Sequence, residues 1–174
     1  MKIEVTPEIT LSPLTMSDAT SIFLLVNQNR EELENYFPWV KSVENREGAE
    51  AYIADRIYSE KPGAYWFSVA FRGQKSGVFG IKSIDRERQM AELGYWLSKE
   101  VRGRAITNTI ITSLSQFLAK AKAVKTIEFR CLENNSAGRR VIEKTGATLV
   151  DSVENDMDTE DGSQAIQVFH LQLT

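Results

Sequence analysis

The stretch Gly94-Tyr95-Trp96-Leu97-Ser98-Lys99-Glu100-Val101-Arg102-Gly103-Arg104-Ala105-Ile106 decides how this chain is read. It opens with the apolar and aromatic residues of a strand and passes through a short basic loop. It then enters a helix in which Ile106, Ile110, Ile111, Leu114, Phe117 and Leu118 recur at helical spacing as far as Lys122. That order makes an anion cradle. Gly103 lets backbone approach a ligand closely, Ala105 is too small to obstruct it, and the helix start offers unpaired N–H groups and a positive dipole end. Arg102 and Arg104 add local positive charge. The loop matches neither the phosphate-loop pattern of nucleotide hydrolases nor the dinucleotide pattern of hydride-transfer enzymes. An ordinary strand-to-helix turn with surface arginines is the simplest competing reading.

Upstream, Met90–Leu97 is the last of three strands, after Tyr65–Phe71 and Gly77–Ile84, with turns at Arg72-Gly73-Gln74 and Asp85–Arg88. Gly94 inside the third is a candidate bulge. A strand over Ile9–Leu14 precedes a helix started by Ser17-Asp18, with Ile22, Leu25 and Val26 on one face. A second helix from about Glu47 turns Ala51, Tyr52 and Ile57 inward. Downstream, Thr126–Leu132 alternates as a strand. Asn135 starts a helix with Ala137, Val141 and Ile142 inward, and Gly146 stops it. Strands over Thr148–Glu154 and Ala165–Leu173 flank an acidic turn. The order β-α-α-β-β-β-α-β-α-β-β implies an α+β fold, with helices covering a largely antiparallel sheet.

The 174 residues suit one domain spanning 1–174, and 42% apolar with 26% charged residues is an ordinary globular balance. A net charge of −3 gives no electrostatic reason to expect nucleic acid as a partner. One cysteine, Cys131, excludes an intrachain disulfide framework, and its place in a strand suits a buried apolar residue. With no secretory signal and no apolar run long enough to span a bilayer, the expectation is a cytoplasmic protein without membrane contact. The lone His170 supports neither a metal site nor a Ser-His-Asp triad, so no metal is expected.

Four stretches together resemble the GNAT superfamily of N-acetyltransferases, in the branch that acetylates the N-terminal serine or alanine of ribosomal proteins. Glu100-Val101-Arg102-Gly103-Arg104-Ala105 is similar to its pyrophosphate loop, with Glu100 at a position usually Arg or Gln. Asn35-Tyr36-Phe37-Pro38-Trp39-Val40 resembles its aromatic-Pro-Trp segment, Ala91–Leu97 its fourth strand, and Asn135 through Gly146 its late-helix signature. Gly138 stands where that signature has a serine proposed as the acid for the leaving thiolate, and Ala147 where phenylalanine is frequent.

The resemblance implies acetyl-CoA as cosubstrate, lying where the fourth and fifth strands splay apart. Its pantetheine amides would pair with backbone at Leu97 and Ser98, and its pyrophosphate would rest on Arg102, Gly103, Arg104, Ala105, Ile106 and Thr107. Asn135 and, more weakly, Arg139 would assist. Glu92, two residues before Gly94, is the candidate general base through water, with pairing to a nearby cation as its structural alternative. Tyr36, Phe37 and Trp39 are candidates for the acceptor groove. The acceptor is expected to be an amine, a ribosomal-protein N-terminus first, with polyamines or aminoglycosides as alternatives. A noncatalytic acyl-CoA sensor is the competing class. The branch also implies a possible homodimer. The acidic interval Asp151–Asp161 reads as a solvated hairpin able to attract a cationic partner.

Overall fold

A computed structural model describes residues 1–154, 158–159 and 162–174. Eight strands form one sheet in the order β1-β2-β3-β4-β5-β6-β10-β7. They are β1 (Ile3–Glu4), β2 (Ile9–Pro13), β3 (Tyr65–Phe71), β4 (Gln74–Asp85), β5 (Met90–Leu97), β6 (Thr126–Leu132), β7 (Thr148–Val153) and β10 (Ile166–Gln172). The short strands β8 (Asp158–Thr159) and β9 (Gly162–Ser163) pair separately. Helices α1 (Ala19–Gln28), α2 (Arg30–Leu33) and α3 (Arg46–Ile57) precede β3. Helix α4 (Ile106–Lys122) joins β5 to β6, and α5 (Ser136–Lys144) follows β6. Every pairing in the large sheet is antiparallel except β5 with β6, whose connection through α4 makes them parallel.

The three-strand meander and the α4 periodicity stand as the sequence implies, with β1 added at the edge, so the expected fourth and fifth strands are β5 and β6. Alternation sorts side chains onto two faces. Ala91, Leu93 and Leu97 of β5 pack with Ile127, Phe129 and Cys131 of β6 against Ile106, Ile110, Leu114 and Leu118 of α4. Trp96 and Val78 meet α1 and α3 on the other face, through Ile22, Val26, Tyr52 and Ile53.

Three expectations are corrected. Ala51 is exposed, because the inward stripe of α3 is Ala49, Tyr52 and Ile53, with Ile57 packed against it; Tyr52 and Ile57 face inward as expected. Ala137 is exposed: the first turn of α5 projects at the end of the sheet where β5 and β6 part. Gly94 is no bulge. It pairs regularly with Gly80, and the irregularity falls on the facing strand, between Ile81 and Ser83. The facing glycines make room instead. A Cβ on Gly80 would stand 2.2 Å from the Trp66 ring, and one on Gly94 would stand 2.9 Å from the Lys82 stem. Of the acidic interval, Asp156, Glu160 and Asp161 lie outside the described residues. Among the described residues no helix is long and apolar enough to cross a membrane.

Gly80→Ala should therefore displace the Trp66 indole and lower stability by about 1–3 kcal/mol, the range for overpacking a filled site. Chemical denaturation compared with wild type checks this, and an unchanged midpoint would contradict the packing described.

Candidate active site

The basic loop leaves β5 through a single 3-10 turn at Lys99–Val101. Gly103 has φ +81 and open space around it, while Ala105 takes φ +56, a left-handed conformation costing an L-residue roughly 1–2 kcal/mol. As the residue before α4, Ala105 has no side-chain acceptor to offer, and the first helical bond runs from the Thr109 N–H to the Ala105 carbonyl. The amides of Ile106, Thr107 and Asn108 are thus left without an intrahelical acceptor, in the geometry that binds anions. Ile106 can contribute only its amide, since its side chain is buried against the sheet. Thr107 is partly buried, and Gly103, Arg102, Arg104 and Ala105 are exposed.

The arginines near this loop are already engaged. Arg102 forms a two-pronged ion pair with Glu32 of α2, one arm at 2.7 Å. The Arg102 hydrogen bond holds the Glu32 carboxyl below its usual range, against an opposing effect of burial. Arg104 lies over the Phe71 ring, and Arg139 pairs with Glu143 at 3.4 Å.

Beside the loop, the sheet opens. The β5–β6 ladder holds from Met90 opposite Thr126 to Leu93 opposite Phe129 and then stops, although both strands continue. The amide of Ser98 donates to Ser76 across β4 at 2.8 Å. Antiparallel strands alternate the direction of their backbone groups, so Trp96 and Ser98 face β4 while Tyr95 and Leu97 face the gap. Of the two expected backbone contacts, Leu97 is presented and Ser98 is not. The Ser98 hydroxyl accepts from Asn29, whose Oδ1 takes the Lys99 amide at 3.0 Å. That buried asparagine fixes the start of the loop to the end of α1.

Asn135 caps α5, its Oδ1 accepting from the Gly138 amide at 3.0 Å. A Cβ at position 138 would stand 2.6 Å from the Asn135 Nδ2, so the side chain missing at Gly138 is the space Asn135 occupies. Cys131 is buried, and burial pushes its thiol up to about 11. That suits the inert role expected for it.

On the opposite face of β5, Glu92 lies between cations: Lys82 Nζ at 2.9 Å and Arg130 Nε at 4.0 Å. Lys82 occupies the β4 irregularity, which aims it at Glu92. Arg130 also pairs with Glu128 at 3.2 Å, and His170 Nε2 meets Glu128 at 3.0 Å. Burial raises the Glu128 carboxyl, but His170 and Arg130 outweigh it and hold the group below its ordinary range. Glu128, Arg130 and Lys82 escape a reading by motif. The available signal was charge at alternate positions of a strand otherwise buried on both faces.

Next to this network, Trp39 is the hub of an aromatic cluster, with ring centroids 4.4 Å from Tyr52 and 5.7 Å from both Trp96 and Phe37. The Trp96 indole N–H donates to the Tyr52 hydroxyl at 2.9 Å. Tyr36 is partly buried. Among the described residues no cluster of three or more His, Cys, Asp or Glu side chains could hold a metal.

A separate open pocket of about 980 Å³ lies beside the C-terminal end of α4, near Ile84 and Phe117. It lacks the convergence of open strand edge, uncapped helix and carboxylate found at the gap. Residues 8–148 match the family model described as Acetyltransferase (GNAT) domain. The Bacillus subtilis (strain 168) protein YdaF, provisionally described as a ribosomal N-acetyltransferase, is 26% identical over 149 residues, 82% of this chain and 79% of its own. RimL, a ribosomal L7/L12 alpha-N-protein acetyltransferase solved with coenzyme A, aligns with TM-score 0.89 at 18% identity over 99% of this chain and 98% of its own. The microcin C7 self-immunity acetyltransferase MccE, solved with acetyl-CoA and AMP, aligns with TM-score 0.87 at 23% identity over 98% and 96%. The chain belongs to the GNAT family and is an acetyl-CoA-dependent N-acetyltransferase.

Proposed function

We propose that the acceptor is the α-amine of a protein N-terminus, a ribosomal protein first among them, and that the amine attacks the thioester directly. The carrying observation is that Glu92 is already engaged by Lys82 and Arg130 while Gly138 offers no acid. Such a site suits an amine that needs little help. Near pH 7.4 about 30% of an α-amine is neutral, against about 0.1% of a lysine side chain.

The nitrogen lone pair forms the C–N bond at the thioester carbon, and the C–S bond breaks with its electron pair leaving on sulfur. Glu92 takes the ammonium proton through water, and the Tyr95 amide, aimed into the gap, supports the developing oxyanion. With no hydroxyl at Gly138, the thiolate takes its proton from solvent. The Leu97 backbone pairs with the pantetheine amides as an added strand would. The amides at the start of α4, with Gly103 and Arg104, cradle the pyrophosphate, and Arg102 joins them on leaving Glu32. Asn135 and Arg139 flank the same anion from α5. Tyr36, Phe37 and Trp39 line the acceptor groove on the Glu92 face. The single buried thiol fits a reducing cytoplasm, and light scattering with mass calibration tests for a homodimer.

Three outcomes check this reading. Purified protein with acetyl-CoA and a panel of N-terminal peptides, lysine peptides, polyamines and aminoglycosides should give a mass gain on N-terminal amines, matched by CoA release. A product confined to small amines would overturn the acceptor assignment, and acetyl-CoA binding without any product would favour a sensor. Glu92→Gln should lower kcat about a hundredfold with the acetyl-CoA KM unchanged; unaltered turnover across pH would remove Glu92 from the mechanism. Glu32→Gln should lower the acetyl-CoA KM by up to about fivefold, since an exposed ion pair contributes about 0.2–1 kcal/mol. The Glu32 carboxyl is held low in the folded state, so the pair's contribution to stability is complete above the ordinary Glu value of about 4.3. The melting-temperature difference between wild type and Glu32→Gln should vanish as pH falls through the lowered value.

A further inference from the structure

Most arginines of this chain either have an acidic partner or stand in water. Arg30, Arg46, Arg72, Arg102, Arg130 and Arg139 pair with carboxylates, while Arg86, Arg88, Arg104 and Arg140 are exposed. Arg56, on α3, is neither. It is partly buried, and no carboxylate of the described residues pairs with it. Its guanidinium carbon lies 3.6 Å from the Tyr52 ring centroid, 5.1 Å from Trp66 and 5.5 Å from Trp39. Nη1 donates to the Tyr52 carbonyl at 3.1 Å, whereas Nε is closed off from solvent and makes no hydrogen bond. Aromatic faces offset part of the cost of burying a cation and Asp55 attracts it without forming a close pair, but a buried donor with no acceptor remains unfavourable.

Arg56 lies on the sheet face that carries Glu92, on the helix that packs against Trp96. Trp66, which touches Arg56, covers Gly80 and reaches Gly94, where the Lys82 stem lies, and Lys82 ends on Glu92. A polyamine or aminoglycoside would bring its further ammonium groups towards Arg56 and Lys82, against like charge. A carboxylate or phosphate would supply the missing acceptor, in the fork geometry a guanidinium favours.

We propose that Arg56 is a specificity-determining residue that binds an anionic group carried by the acceptor close to its reacting amine. The proposal rests on the reading that the Glu92 face receives an α-amine and narrows the class of that amine. Two sources share the chemistry: an acidic side chain at the second or third residue of a peptide, and the phosphate of an aminoacyl nucleotide.

The test compares acceptors differing only in that group: N-terminal peptides with Glu, Gln or Lys at positions 2 and 3, and an aminoacyl nucleotide analogue with and without its phosphate. Wild type should favour the anionic member of at least one series by about tenfold or more in kcat/KM, the scale of a hydrogen bond to a charged group. Arg56→Gln should reduce that preference to near unity, Arg56→Lys should retain part of it, and the acetyl-CoA KM should stay fixed in both. Which series shows the preference identifies the source. Equal rates on Glu, Gln and Lys peptides, with no effect of the phosphate, would overturn the proposal while leaving N-terminal acetylation standing, because the neutral peptides report that separately. Titration of acetylated product peptides, followed by tryptophan fluorescence, gives the same comparison without turnover. Tighter binding of the Glu product that weakens with salt supports the proposal, and equal binding refutes it, even if Arg56→Gln does not fold.

Discussion

The parting of β5 from β6 is the constraint on which the rest of the structure depends. Four residues of parallel ladder hold the strands together at one end, and beyond Leu93 each stays bound only to its outer neighbour. Backbone groups inside a sheet cannot go without partners at low cost, so an opening of this kind persists where something else completes the ladder. Register then decides what is offered: the Ser98–Ser76 bond orients the amides of Tyr95 and Leu97 into the gap. The loop after β5 and the start of α4 are placed by the same strand, and the buried amide of Asn29 holds that loop against α1.

The sheet also divides the chemistry in two. Its α4 face is almost wholly apolar, from Phe79 and Leu93 to Phe129 and Phe169. Its other face carries the charge: Lys82, Glu92, Glu128, Arg130 and His170, joined by contacts of 2.9–4.0 Å. Neighbouring carboxylates on parallel strands, Glu92 opposite Glu128, are tolerated because cations separate them. The aromatic cluster around Trp39 continues this face towards α3, with the Trp39 ring packed against Tyr52 and Trp96.

Much of this was legible from residues alone, for reasons that also explain the misses. The α4 stripe and the 65–97 meander have strong periodicity, and the basic loop has few conformations compatible with Gly103 before a helix. In α3, Ala51 was taken as inward in place of Ala49 because small alanines give periodicity little contrast, while Tyr52 and Ile57 were placed correctly. Gly94 was read as a bulge, yet what glycine supplies there is space for side chains of other strands, visible only once Trp66 and Lys82 are in place. That the Ser98 amide faces β4 could not be read from the sequence, because the direction of a backbone amide depends on cross-strand register. Lys82, Glu128 and Arg56 belong to no motif; what marks them is charge at positions whose neighbours are buried.

Gly138 and Asn135 carry a consequence beyond the site itself. The asparagine side chain fills the volume a larger residue at 138 would need, and its bond to the Gly138 amide helps to start α5. The two positions are therefore one variable rather than two. A hydroxyl at 138 is reachable only along a path that also turns or replaces Asn135, and single-site scoring of a substitution there would misjudge its effect. The order in which changes are made, as much as their identity, sets what chemistry this end of the helix can acquire.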